Sequence, residues 1–233
     1  MKAIILAAGM GRRIRDYTEI PKCLIKIGKK PLLQRYIEAL SSEGIEDIVI
    51  VLGYKESMVR ELLKKIHFKG KIIYNPYFTK GSILSLISAK DELNNPLILM
   101  DGDVFFEKSV LERLTRSLKN NIFLIDTTSK GEGEEYMIGI KEERVVKMGR
   151  GLNKEFDCVG EWVGFLKMER DSSIILKSLL SGNFKEDMGY EEAISLLLDK
   201  ISFGYELVDG LKWVEIDFIE DVRRAESFVK NGF

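Results

Sequence analysis

KAIILAA (2–8) is an apolar run with no polar interruption. A strand wetted on one face alternates apolar with polar residues, so this run predicts a strand buried on both faces. EDIVIVLG (46–53), KIIYN (71–75), NPLILMDGD (95–103) and NIFLID (121–126) read as strands in the same way. Between them the period changes. PLLQRYIEALSSEG (31–44), KESMVRELLKKI (55–66), GSILSLISAKDEL (81–93) and SVLERLTRSLK (109–119) place apolar residues at helical spacing. Pro31 and Gly44 stand where helix start and stop signals belong, and Ser82 is a candidate N-cap. Strands joined through helices need crossover connections, which build a parallel sheet covered on both faces. The expected fold class is α/β, a Rossmann-like three-layer α/β/α arrangement with a mainly parallel mixed central sheet.

The alternation breaks after residue 126. EYMIGI and RVVKMG predict a hairpin within 135–149, and EWVGFLKM (161–168) a further strand. Helices follow near 171–180 and 189–199, then strands in GYELVDG and KWVEID (212–217), and a closing helix in IEDVRRAESFVK. No internal repeat, low-complexity tract or linker divides the halves. One domain over 1–233 is expected, its second half adding strands to the same sheet and a lid over the sheet's carboxyl edge.

Composition narrows the classes. With 45% hydrophobic and 31% charged residues the chain reads as a soluble globular protein. A net charge of −1 argues against a general nucleic-acid or membrane-surface binder, and no nucleic-acid partner is expected. No apolar run reaches the ~18 residues of a spanning helix, so no membrane insertion is expected. The start MKAIILAAG resembles a short signal segment, but a basic loop follows without a small-residue cleavage site, and a buried strand is the better reading. Cys23 and Cys158 make no disulfide framework, which points to a reducing, cytoplasmic setting. His67 is the single histidine, so mechanisms or metal sites needing two imidazoles are excluded. Lys, Glu and Ile are abundant and Gln34 is the only glutamine, a composition leaning towards a thermophilic source.

The chemistry gathers at two strand ends. Ligands of open parallel sheets bind at the carboxyl ends of the strands, where AAGMGRRIR follows the first one. Gly9 and Gly11 let backbone amides approach an anion, Arg12, Arg13 and Arg15 add charge, and Lys22 follows the stiff Pro21. This makes a cradle for a polyphosphate. Turn glycines without a ligand are the competing reading. A dinucleotide-binding loop would want glycine where Ile14 stands, and a Walker A ending is absent. Further on, LILMDGDVFF ends a strand in Asp101 and Asp103, carboxylates suited to a hard Mg²⁺ ion, with a metal-free turn as the alternative. Asp217 and Glu220 fit a capping box.

LAAGMGRRIRDYTEIPKCL resembles the signature of the nucleotidyltransferases that make nucleoside-diphosphate sugars and alcohols, through Leu6, Ala7, Ala8, Gly9, Gly11, Arg13, Thr18, Pro21, Lys22 and Leu24. Arg12 departs from the family's small hydroxyl residue, and Phe218 from its usual Thr. The resemblance implies a nucleotide-binding half over about 1–126 and an acceptor-binding and lid half over about 127–233. It implies that Leu6, Ala7, Ala8, Gly9, Gly11, Arg12, Lys22 and Asp101 hold the nucleotide, with Gly81, Ser82 and Ser85 at the base. Helix capping is the competing role for the serines. Asp103 and Asp217 would be the metal ligands for Mg²⁺, and Arg13, Lys22, Asp103 and Asp217 the catalytic set. CVGEWVGFLKME and GYEEAI are similar to acceptor-lining segments, which nominates Glu161, Tyr190 and Glu191. A phosphomonoester has a second pKa of about 6 and is already largely dianionic at neutral pH, so no strong general base is needed.

KGSILSLISAK, VVKMGRGLNKEFDCV and WVEIDFIEDVRRAE are most similar to the cytidylyltransferase branch, and within it to CTP:inositol-1-phosphate cytidylyltransferases of heat-loving organisms. The partners implied are CTP and a small phosphomonoester. Phosphocholine and aminoethylphosphonate acceptors stay open, because Trp162, Tyr136, Tyr190 and Glu161 can form a cation cage. Also open are sugar-1-phosphate thymidylyl or uridylyl transfer, a glycosyltransferase using D-G-D, and a non-catalytic nucleotide-binding module.

Overall fold

The computed structural model describes residues 1–129, 133–152 and 155–230. In chain order the elements are β1 (Lys2–Ala7), β2 (Lys26–Ile27), β3 (Lys30–Pro31), α1 (Leu32–Ser42), β4 (Asp47–Leu52), α2 (Glu56–Lys65) and β5 (Lys71–Tyr74). Then come α3 (Ile83–Ser88), β6 (Leu97–Asp101), β7 (Val104–Phe106), α4 (Lys108–Thr115) and β8 (Ile122–Asp126). The second half holds β9 (Met137–Lys141), β10 (Arg144–Gly149), β11 (Cys158–Met168), α5 (Arg170–Leu179) and α6 (Glu191–Leu198). It closes with β12 (Gly204–Leu207), β13 (Trp213–Glu215) and α7 (Ile219–Lys230).

The main sheet follows the order β10-β9-β11-β6-β1-β4-β5, with β8 beside β11 and β12 beside β8. β1 pairs in parallel with β4 and β6, β4 with β5, and β8 with β12. β11 runs antiparallel to β6, β8 and β9, and β10 antiparallel to β9. Among the described strands of this sheet, only β10 and β11 therefore oppose the common direction. Side chains alternate between two cores, as the unbroken apolar runs predict. Ile4, Val49, Leu97, Leu99, Phe123 and Ile125 face the core closed by α3, α5 and α6. Ile5, Ile50, Ile98, Met100, Ile122 and Leu124 face the core closed by α1, α2 and α4. The result is the three-layer α/β/α arrangement expected.

Three local features differ from the sequence reading. The helix expected over 81–93 is α3 alone, followed by a 3-10 turn at Lys90–Glu92. The tighter turn carries Glu92 to Lys2 and Lys71, both at 2.5 Å. KWVEID does not join the main sheet. Its strand, β13, pairs antiparallel with β7 in a two-stranded sheet of its own. β7 itself has no sequence signal beyond V-F-F, because so short a strand forms only when its partner is supplied from far along the chain. A third small core under α7, with Ile27, Leu32, Phe105, Val214, Ile216, Val222 and Ala225, fixes this pair against β2 and β3.

Candidate active site

The register between β1 and β6 sets the site. Leu6 lies opposite Asp101, and Gly102 N–H donates to Leu6 O at 2.9 Å. The turn after β1 and the D-G-D turn after β6 therefore emerge side by side. The chain leaves β1 for β4 on one side and returns to β6 on the other, which opens the crevice where such sheets bind ligands. Tyr36, buried on α1, holds the D-G-D turn. Its hydroxyl lies 2.6 Å from Asp101 O and accepts Val104 N–H at 3.0 Å. The β7–β13 pairing then brings the far end of the chain in, with Ile216 N–H donating to Asp103 O at 2.9 Å.

Asp103 and Asp217 meet across this small sheet. Lys22 Nζ donates to Asp103 Oδ2 at 2.9 Å and to Asp217 Oδ1 at 2.5 Å. Arg13 Nη1 donates to Asp217 Oδ2 at 2.8 Å, and its other terminal nitrogen pairs with Glu134. Glu215 completes a carboxylate trio with Asp103 and Asp217, whose oxygens lie within 4.8 Å of one another. Sequence reasoning missed Glu215. The signal was present in WVEID, since residues two apart on an extended strand share a face, so Glu215 travels with Asp217.

Asp217 is not a helix cap. Its own N–H and that of Phe218 donate to Asp221 Oδ2, at 2.9 and 2.6 Å. Asp221 takes the role the sequence offered to the Asp217–Glu220 pair, and the Asp217 carboxylate is left facing Lys22 and Arg13.

The electrostatics follow from this crowding. Burial alone would lower the Lys22 pKa, but the charges of Asp103 and then Asp217 overcome it and hold the ammonium firmly protonated. Burial pushes Asp217 upward, yet Lys22 and Arg13 bring it below the ordinary carboxylate value. Desolvation, followed by the charges of Asp103 and Asp217, raises Glu215 above the usual range, and the charge of Lys22 offsets only part of the rise. Three oxygen donors with one internal ammonium already between two of them fit a hard divalent cation. Asp103, Glu215 and Asp217 are the residues that would hold it.

A cleft of about 500 Å³ runs from this point along the first loop. Leu6, Ala8, Gly9, Gly11, Arg12, Gly81, Ser82, Ser85, Asp101, Asp103 and Tyr190 line it, so most of the sequence-nominated nucleotide residues converge. Gly11, in the left-handed region at φ 56°, leads into a 3-10 turn at Arg12–Ile14, and Arg12 Nη2 donates to Thr79 O at 3.2 Å across the mouth. Arg15 turns elsewhere, its guanidinium 5.0 Å from the Tyr54 ring centre. Gly81 is required by protein packing. A Cβ there would lie 2.0 Å from Met188 O, and Gly81 N–H donates to Glu186 O at 2.6 Å. The 186–190 segment is thus laid directly on the segment expected at the base. Ser82 makes no side-chain cap to α3; its Oγ accepts Tyr190 N–H at 2.9 Å.

Of the residues nominated for the acceptor, Tyr190 instead lines this same cleft: it is almost fully buried, and its hydroxyl sits 2.8 and 2.9 Å from the two Asp101 carboxylate oxygens. It ties α6 to the end of β6. The Trp162 and Tyr190 rings meet edge to face at 5.8 Å. Glu161, on β11, accepts a hydrogen bond from Ser129, and burial raises its pKa. Glu191 opens α6 with its carboxyl likewise raised by burial, and Arg150 lies 4.9 Å from the Tyr136 ring centre nearby. Residues 153–154 of VVKMGRGLNKEFDCV lie outside the described residues. His67 is exposed at the end of α2, away from the cleft lining.

Known proteins are similar to this chain in sequence and in fold. The choline-phosphate cytidylyltransferase of Streptococcus pneumoniae is 31% identical over 238 positions, covering 99% of this chain and 99% of that protein. The bifunctional IPC transferase and DIPP synthase of Archaeoglobus fulgidus is 31% identical over 225 positions, covering 97% of this chain and 43% of that protein. This chain therefore spans less than half the length of that bifunctional relative. Among solved structures, the inositol-1-phosphate CTP transferase from T. maritima aligns with a TM-score of 0.79 and 20% identity over 99% of this chain and 96% of that one, a likeness of fold. The model of the MobA-like NTP transferase domain matches residues 3–146, the stretch that carries both the glycine–arginine turn and Asp103. The chain belongs to the MobA-like NTP transferase domain family.

Proposed function

We propose that this chain is a divalent-metal-dependent cytidylyltransferase that moves CMP from CTP to a small phosphomonoester and releases pyrophosphate. The observation that carries the reading is the meeting of Asp103, Glu215 and Asp217 with Lys22 and Arg13 at the mouth of the nucleotide cleft. Phosphoryl-type transfer needs positioning and charge neutralisation more than acid–base chemistry, which suits a chain with one remote histidine. A bound Mg²⁺ would supply Lewis-acid polarisation of the α-phosphate at the three carboxylates. The chain's own residues do the rest. The amides after β1 and Arg13 receive the β- and γ-phosphates and stabilise departing pyrophosphate. Lys22 stands between the reacting phosphates and offsets their repulsion. The 186–190 segment, pinned on Gly81 and Ser82, closes the base end against water.

For the acceptor, inositol 1-phosphate comes first. The sequence resemblance supports it, as does the 31% identity to the bifunctional IPC transferase and DIPP synthase of Archaeoglobus fulgidus. A second reading, phosphocholine, is favoured by the end-to-end match to the choline-phosphate enzyme. Pyrophosphate release from CTP, UTP, dTTP and GTP against inositol 1-phosphate, phosphocholine, aminoethylphosphonate and glucose 1-phosphate tests both. CTP with inositol 1-phosphate is the expected pair. Release with phosphocholine alone assigns the second reading, and release confined to dTTP or UTP with glucose 1-phosphate contradicts the proposal.

A further inference from the structure

Asn75 is fully buried beside the cleft, and its hydrogen bonds leave no freedom in its orientation. The Tyr77 N–H, which can only donate, reaches Asn75 Oδ1 at 2.8 Å. That contact fixes the amide and turns its Nδ2 towards Ser85, where Nδ2 donates to Oγ at 3.0 Å. Ser85 is itself buried apart from the edge that lines the cleft. Its oxygen is thus an acceptor for Asn75, and among the described residues no protein acceptor is recorded for its hydrogen. That hydrogen is left for the cleft. For the oxygen to accept from a ligand instead, the hydroxyl would need another acceptor, and an unsatisfied buried donor is costly. Ser82 is set in the same sense, because its Oγ already accepts Tyr190 N–H at 2.9 Å.

We propose that Asn75 is a specificity-determining positioning residue, which holds Ser85 as a hydrogen-bond donor and thereby selects cytosine. The Ser85 hydrogen meets the pyrimidine N3. In cytosine N3 is an acceptor; in uracil and thymine it is an N–H donor, and two hydrogens then face each other. The inference rests on the cytidylyl reading given under the proposed function.

The test is the ratio of dissociation constants for CTP and UTP, measured by titration calorimetry with Mg²⁺ on the wild type, Asn75→Ala, Ser85→Ala and the double variant. Thermal melts establish that each variant is folded. Wild type is expected to prefer CTP. Asn75→Ala frees the Ser85 hydroxyl to turn, so the preference shrinks about tenfold, with UTP binding tightened in absolute terms. Ser85→Ala weakens CTP while leaving UTP within about twofold, and the double variant matches it, because Asn75 acts through Ser85. A purely structural role would weaken both nucleotides equally and keep the ratio, which overturns the inference. Should Asn75→Ala not fold, an unchanged ratio in Ser85→Ala overturns it alone. A wild type that does not favour CTP defeats the cytidylyl reading itself, a separate result from a CTP preference indifferent to Asn75 and Ser85.

Discussion

Lys22 meets two carboxylates at once, and that one contact explains much of the site. With Asp103 at 2.9 Å and Asp217 at 2.5 Å, its ammonium holds together acids that would otherwise repel. In the proposed reaction a polyphosphate and its cation would enter by exchange of charges already in place. Asp103→Asn keeps the shape of the turn but removes one anionic oxygen donor. It is expected to lower kcat by on the order of 10²–10³, measured by pyrophosphate release, with the melting curve showing a folded protein. At this scale the sequence nominated Arg13, Lys22, Asp103 and Asp217 from their motifs, and the fold brings these four side chains into contact. The sequence left Asp217 balanced between ligand and helix cap. The capping role falls to Asp221, whose carboxylate accepts both adjacent N–H groups, and a local pattern cannot rank Asp221 above Glu220.

Short elements do more to build this site than long ones. β7 and β13 are three residues each, yet their pairing carries Asp103 to Asp217. Neither shows a period, because strands of that length owe their existence to pairing and to the small core beneath α7. The 186–190 segment depends in turn on Gly81. Gly81→Ala would drive a methyl group into Met188 O, 2.0 Å from the ideal Cβ, and pry that segment away. Overpacking of this kind costs about 1–3 kcal/mol. The expected result is a lower melting temperature together with weaker nucleotide binding, since Tyr190 and Ser82 lose their register; unchanged affinity would detach the segment from the nucleotide site. The longest helix predicted in this region shortened to α3 because side-chain demands beyond it, chiefly those of Glu92, outweigh helical periodicity.

Across the whole molecule, the two-faced burial of the parallel strands was legible because both faces leave a mark in every strand. The place of β11 was not. Its 11 residues pair in succession with β9, β8 and β6, and pairings so distant in sequence leave no local trace. One charge cluster ties the sheet's rim: Lys2 on β1 and Lys71 on β5 both donate to Glu92 at 2.5 Å. Those two hydrogen bonds lower the Glu92 pKa. A depressed carboxylate stabilises above its unfolded pKa of about 4.3 and loses that contribution as pH falls through its lower folded value. Glu92→Gln is therefore expected to melt below wild type at neutral pH, with the gap closing on acidification into that window; a gap constant with pH would remove Glu92 from the account. If the three carboxylates and the glycine–arginine turn share one metal–triphosphate complex, anomalous diffraction from a crystal holding Mn²⁺ and CTP will show it. A manganese peak is expected among Asp103, Glu215 and Asp217, with the phosphates on the turn from Gly9 to Arg13. A peak elsewhere, or a nucleotide bound away from that turn, would contradict a shared complex.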